Sequence, residues 1–156
     1  AKNLKVIGDF INSGLKTRVY CSSLGGFDSH VNQKNMQGRN LKTYSEGVAA
    51  LVEDLKSTDR FKDTLILTFS EFGRRVKQNA SRGTDHGTAS NVMIISGGLK
   101  KAGIYNENPN LGNLDKNGDL QHSIDFRSVY ATVLGTWLEV KDENILKRKF
   151  GKLGFV

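Results

Sequence analysis

Thr64-Leu65-Ile66-Leu67-Thr68-Phe69, followed by Ser70-Glu71-Phe72-Gly73, is an uncharged and mostly apolar run that stops at a carboxylate and a glycine. It shows neither the alternation of a half-buried strand nor the three-to-four spacing of an amphipathic helix. A short continuous run of this kind fits a strand covered on both faces, as in a parallel sheet. Asn91-Val92-Met93-Ile94-Ile95-Ser96 repeats the pattern and closes at Gly97-Gly98. Thr17–Leu24 (Thr-Arg-Val-Tyr-Cys-Ser-Ser-Leu) is rich in β-formers and ends at Gly25-Gly26, which predicts a third strand.

Helical patterns lie around these runs. Leu4, Ile7 and Ile11 predict a helix over Asn3–Ser13, with Gly14 as its stop. Leu41, Tyr44, Val48, Leu51, Val52 and Leu55 recur on one helical face, as do Phe126, Val129, Tyr130, Val133, Leu134, Trp137 and Leu138. Residues 31–39 are polar and read as irregular, Arg74–Ala89 reads as a long loop, and residues 99–121 read as loops with a hairpin signal at Asn117-Gly118. Helices interleaved with strands predict one α/β domain over 1–156 around a mostly parallel sheet. Three strands are few for such a sheet, so its edges need pairing or cover.

Composition narrows the function classes. The 156 residues are 37% hydrophobic and 25% charged, enough for a core and against disorder. No apolar run approaches the ~20 residues of a transmembrane helix. A single cysteine excludes an internal disulfide framework and a zinc ribbon; Cys21, inside a predicted strand, reads as an inert buried thiol. The net charge of +7 is spread over both ends and a cluster of Arg74, Arg75, Lys77 and Arg82, without the basic-aromatic stripe of a nucleic-acid binder, so no nucleic-acid partner is expected.

Three predicted loops carry metal-ligand residue types: Asp28-Ser29-His30, Glu71 directly after the first run, and Asp85-His86 within Gly83-Thr84-Asp85-His86-Gly87-Thr88. Carboxylate plus imidazole suits Zn²⁺, Mn²⁺ or Mg²⁺, singly or as a pair. Arg74 and Arg75 offer planar forks for an anion at the same place. Each residue also has an ordinary use: Asp28 and Asp85 in turns, Glu71 as a helix-start carboxylate or a partner of Arg74, the arginines on a solvated face. His122 sits in a turn and reads as incidental.

Ser23–His30, Leu67–Arg74, Gly83–Thr88 and Asp125–Ala131, in this order, closely resemble the bacterial domain-of-unknown-function family 1501, which in turn looks like a branch of the alkaline phosphatase/sulfatase superfamily. The resemblance implies an α/β/α sandwich with divalent metals held by Asp28, His30, Asp85 and His86 above the sheet, and hydrolysis of phosphate or sulfate esters of an anionic small molecule or glycan. It also implies that this chain is the C-terminal part of a longer protein. That protein's N-terminal segment would bring the nucleophile and a periplasmic or secreted location. The alternative is a non-catalytic binding or assembly module of the same fold, holding an anionic ligand or a partner protein.

Overall fold

The computed structural model describes residues 2–156. It is a mixed α/β fold. In chain order it contains α1 (Lys2–Asn12), α2 (Gln33–Ser57), a 3₁₀ turn (Phe61–Asp63), β1 (Ile66–Thr68), β2 (Gly73–Arg74), β3 (His86–Gly87), β4 (Met93–Ile95), α3 (Phe126–Thr132) and α4 (Asp142–Leu146). A π-helical turn over Val133–Trp137 continues α3. Where the sequence predicted a stop, α1 stops: Gly14 takes φ 78°, and the amides of Gly14 and Leu15 donate to the carbonyls of Ile11 and Phe10, a Schellman cap.

The mostly parallel sheet is not what these strands form. Ile66, Leu67 and Thr68 pair antiparallel with Ile95, Ile94 and Met93, and Gly73 and Arg74 pair antiparallel with Gly87 and His86. The two ladders are nested and offset by one residue, so 66–95 is a single interrupted hairpin arm. The reason lies in the connection. Parallel neighbours need a crossover, usually a helix, whereas residues 69–92 form the second ladder and then return. The β1 residues are half-buried and Met93 is exposed, not covered on both faces.

Leu65, Leu67, Val92 and Ile94 pack with Val129 of α3 and with Phe155 and Val156, the hydrophobic centre of the molecule. The tail that the sequence left unassigned thus supplies core. It is tied down by Leu153 N–H, which donates to the fully buried Thr132 Oγ1 at 2.7 Å, and by Lys100 N–H, which donates to Phe155 O. From the other side of the arm, Tyr44 of α2 shares a 2.9 Å hydrogen bond with Thr68. The contacts on β1 therefore come from helices on both sides. The hairpin expected around Asn117-Gly118 is present as a bridge between Leu114 and Leu120.

Three other expectations change. Thr17–Leu24 has no regular secondary structure and pairs with no strand, and Val19 is 67% exposed; its β-forming residues meet no neighbouring edge. Cys21 is consequently exposed rather than buried. The polar stretch 31–39 is helical from Gln33 onward. Its start is fixed from a distance: the amides of Asn32 and Gln33 donate to Ser81 O and Arg82 O, and Thr84 Oγ1 donates to the buried Gln33 side chain at 2.7 Å.

Two stability predictions follow from this packing. Leu55 of α2 is fully buried, so Leu55→Ala is expected to lower unfolding free energy by about 2–5 kcal/mol in urea denaturation. Asp125 caps α3, accepting from Arg127 N–H at 2.9 Å and from its guanidinium, which holds the carboxyl down at about 2 against an ordinary 3.8. A depressed carboxylate stabilises the fold above its unfolded value. That contribution should disappear in acid titrations as pH falls from 3.8 through about 2. Asp125→Ala should cost about 0.5–2 kcal/mol at neutral pH.

The accessible surface is 11023 Å² for 17.2 kDa. A folded monomer of that mass exposes about 7,800 Å² by the usual scaling. Part of the excess is apolar, with Leu15, Val31, Leu41, Phe69 and Ile104 all more than half exposed.

Candidate metal centre

The distal ladder of the arm, β2–β3, brings His86 against the loop that carries Asp28 and His30. Backbone approach there is too close for side chains. A Cβ on Gly73 would lie 1.6 Å from Ala89 O, and one on Gly83 would lie 2.1 Å from His30 O. Both glycines are thus required by space rather than by turn conformation.

Asp28, His30 and His86 each present one ligand atom, all within 4.8 Å of one another. Asp28 Oδ1 is 3.0 Å from His30 Nε2 and 2.9 Å from His86 Nε2, and the two Nε2 atoms are 3.2 Å apart. A point about 2.0–2.1 Å from all three, the usual Zn–N and Zn–O length, lies roughly 1 Å out of their plane, leaving an open side. The side chains are 43–66% exposed, so that side faces solvent.

Proton counting gives the arrangement its chemical meaning. His30 Nδ1 donates to Asp85 Oδ1 at 3.2 Å, since a carboxylate only accepts. A neutral imidazole carries one proton, so His30 Nε2 then points a lone pair at Asp28 and at His86 Nε2. With the matching Nδ1–H tautomer at His86, three electron-rich atoms face one another, an arrangement that a cation between them satisfies. Asp85 behind His30 has the form of the carboxylate–histidine pair that, in metal sites, fixes the tautomer of the ligating histidine. Without a cation, a hydrogen bond from His86, and secondly the nearby imidazole of His30, hold the Asp28 carboxyl below its ordinary range. Hydrogen bonds from His30 and then Asn79 do the same for Asp85.

Of the residues singled out in the sequence, Asp28, His30 and His86 converge as candidate ligands, and Asp85 stands one layer behind. Glu71 is exposed and lies outside the group of three. Arg74 donates from both terminal nitrogens to backbone carbonyls, Phe27 O and Thr84 O, and so fastens the two ligand loops together. Arg75 Nε lies 3.3 Å from Asp119 Oδ1, an ion pair without hydrogen-bond alignment, beside a nearly buried carboxylate. His122 is exposed in its turn.

Sequence reasoning missed Phe72. Its ring stacks on His86 at 3.6 Å and 8°, with the Arg74 guanidinium over it at 5.0 Å. The stack holds the His86 ring on the flank away from its partners. Phe72 lies within the Leu67–Arg74 motif, but nothing in the motif says what its ring touches; the pairing of β2 with β3 reveals the role.

A family model described as "Protein of unknown function (DUF1501)" matches residues 13–149. No curated protein and no solved structure is significantly similar to the chain. Among the described residues no helix is long and apolar enough to cross a membrane.

Proposed function

Because the chain belongs to the DUF1501 family, whose description assigns no activity, we propose a function from the site itself: a divalent-cation centre serving hydrolysis of phosphate or sulfate esters. The carrying observation is the triangle of Asp28 Oδ1, His30 Nε2 and His86 Nε2 with Asp85 behind His30. Zn²⁺ and Mn²⁺ suit this donor set, Mg²⁺ less well because it prefers oxygen. Bound there, the cation supplies Lewis acidity toward a phosphoryl or sulfuryl oxygen.

The chain's own residues would do the following. Asp28, His30 and His86 hold the cation. Asp85 keeps His30 in the ligating tautomer. Arg75, drawn to Asp119 through Nε, keeps its terminal nitrogens for an anion. Arg74 orders the loops. The sequence pattern assigned anion binding to both arginines; the hydrogen bonds of Arg74 favour Arg75.

The attacking hydroxyl and further strands belong, in this proposal, to additional polypeptide of the same protein that completes an α/β/α sandwich. Helix contacts on both sides of β1 and a surface about 3,000 Å² larger than a monomer of this mass needs support it. An exported location is part of the same reading.

A second reading is a non-catalytic module that binds an anionic ligand or a partner protein. It is favoured by the openness of the site and by the commitment of Arg74 to backbone. Aryl phosphates and aryl sulfates, assayed with Zn²⁺ or Mn²⁺ on the full-length parent, decide between them. Turnover lost in Asp28→Ala supports the hydrolase. Metal without turnover, or no metal uptake at all, favours the binding module.

A further inference from the structure

No expectation singled out Asn79 within its loop, yet every hydrogen-bonding position of its side chain is used. Oδ1 accepts from Ser81 N–H and Gly83 N–H, each at 3.0 Å. Nδ2 donates to His30 O at 3.0 Å and to Asp85 Oδ1 at 3.3 Å. The backbone completes the turn, with Asn79 N–H donating to Gly83 O at 2.9 Å and Arg82 in the left-handed region at φ 58°. One half of the amide closes the turn and the other half reaches out of it to the ligand loop and to Asp85.

We propose that Asn79 is the positioning residue of the centre: it aims the Asp85 carboxylate at His30 Nδ1 and, through it, fixes His30 as the Nδ1–H tautomer with Nε2 toward Asp28 and His86. The geometric part stands without any cation. Its consequence for affinity rests on the cation reading above. The division of the amide makes the idea separable from mere folding. Asn79→Asp retains an oxygen for the Ser81 and Gly83 amides but cannot donate to Asp85 or to His30 O. Asn79→Ala removes both halves.

The test uses the ¹⁵N-labelled full chain, whose three histidines give an assignable set of two-bond ¹H–¹⁵N imidazole correlations. It is recorded at about pH 8, above the ordinary imidazole range. The wild-type protein is expected to show His30 as a single Nδ1–H tautomer. Both variants should show tautomer averaging at His30, and Asn79→Asp should do so with the wild-type amide spectrum otherwise retained. An Nε2–H tautomer in the wild type, or an unchanged Nδ1–H tautomer in Asn79→Asp, overturns the proposal. So does loss of the folded amide spectrum in both variants, which would make Asn79 a residue of folding only.

A Co²⁺ titration followed by visible absorption separates the two levels. Weakening of about 10- to 100-fold in the variants, the usual effect of an outer-sphere change, supports the extension to affinity. Wild-type affinity in both variants removes it. A wild-type chain that takes up no Co²⁺ ends the cation reading, while the tautomer spectrum still decides the role of Asn79.

Discussion

His86→Ala is expected to weaken Zn²⁺ or Co²⁺ binding by about 100-fold or more, beyond the range of outer-sphere changes. His86 provides one of three convergent ligand atoms, and its Nε2 lies 2.9 Å from Asp28 Oδ1 and 3.2 Å from His30 Nε2. Removing it leaves two donors on one short loop, Asp28 and His30, separated by a single residue. The fold should tolerate the change, because the imidazole is exposed and its ladder pairing runs through the backbone with Arg74. Isothermal titration of the variant against Glu71→Ala makes the contrast sharp. Glu71 lies outside the triangle, so its removal should leave affinity unchanged. Equal loss in the two variants would mean that the ligand set is drawn wrongly.

Gly73→Ala is expected to damage both stability and site, and more severely than its one added methyl suggests. The new Cβ would fall 1.6 Å from Ala89 O, a backbone atom that no rotamer change can move aside. β2 and the segment after β3 must separate to admit it. Overpacking of this kind typically costs about 1–3 kcal/mol, occasionally more, and a backbone obstacle belongs at the upper end. Separation would also draw His86 away from Asp28 and loosen the Phe72–His86 stack. The expected result is a lowered midpoint in urea together with weakened cation binding. Ala at Gly38, where a Cβ meets nothing within 4 Å, is the matched control and should stabilise α2 slightly.

The helices were legible because their signals are local. The apolar spacing of Leu41 to Leu55 and of Phe126 to Leu138, the stop at Gly14 and the turn at Asn117-Gly118 all appear in the fold where the sequence placed them. Strand pairing was not legible, since Leu65–Phe69 and Val92–Ile95 look alike in parallel and antiparallel sheets. Only the connection between them decides, and its β2–β3 ladder rests on glycines whose reason is a clash with Ala89 and Arg74. Thr17–Leu24 shows the converse, β-forming residues without a partner edge. At the site, the residue types that could ligate were readable as Asp28, His30, Asp85 and His86, but their order of approach was not. The placement of Asp85 behind His30, the withdrawal of Glu71 and the use of Arg74 on two carbonyls all depend on contacts spanning tens of residues.

The separation between His30 and His86 in the chain, 56 positions, bears on how the molecule would answer to a chelator. On the proposed reading, a cation joining them acts as a removable staple across that whole interval, and closure of a long interval restrains an unfolded chain more than closure of a short one. The loop between β2 and β3 lies inside that interval and carries Lys77 and Arg82. Trypsin cutting at Lys77 or Arg82 would then report occupancy directly: slow with Zn²⁺ present, fast once EDTA has withdrawn it.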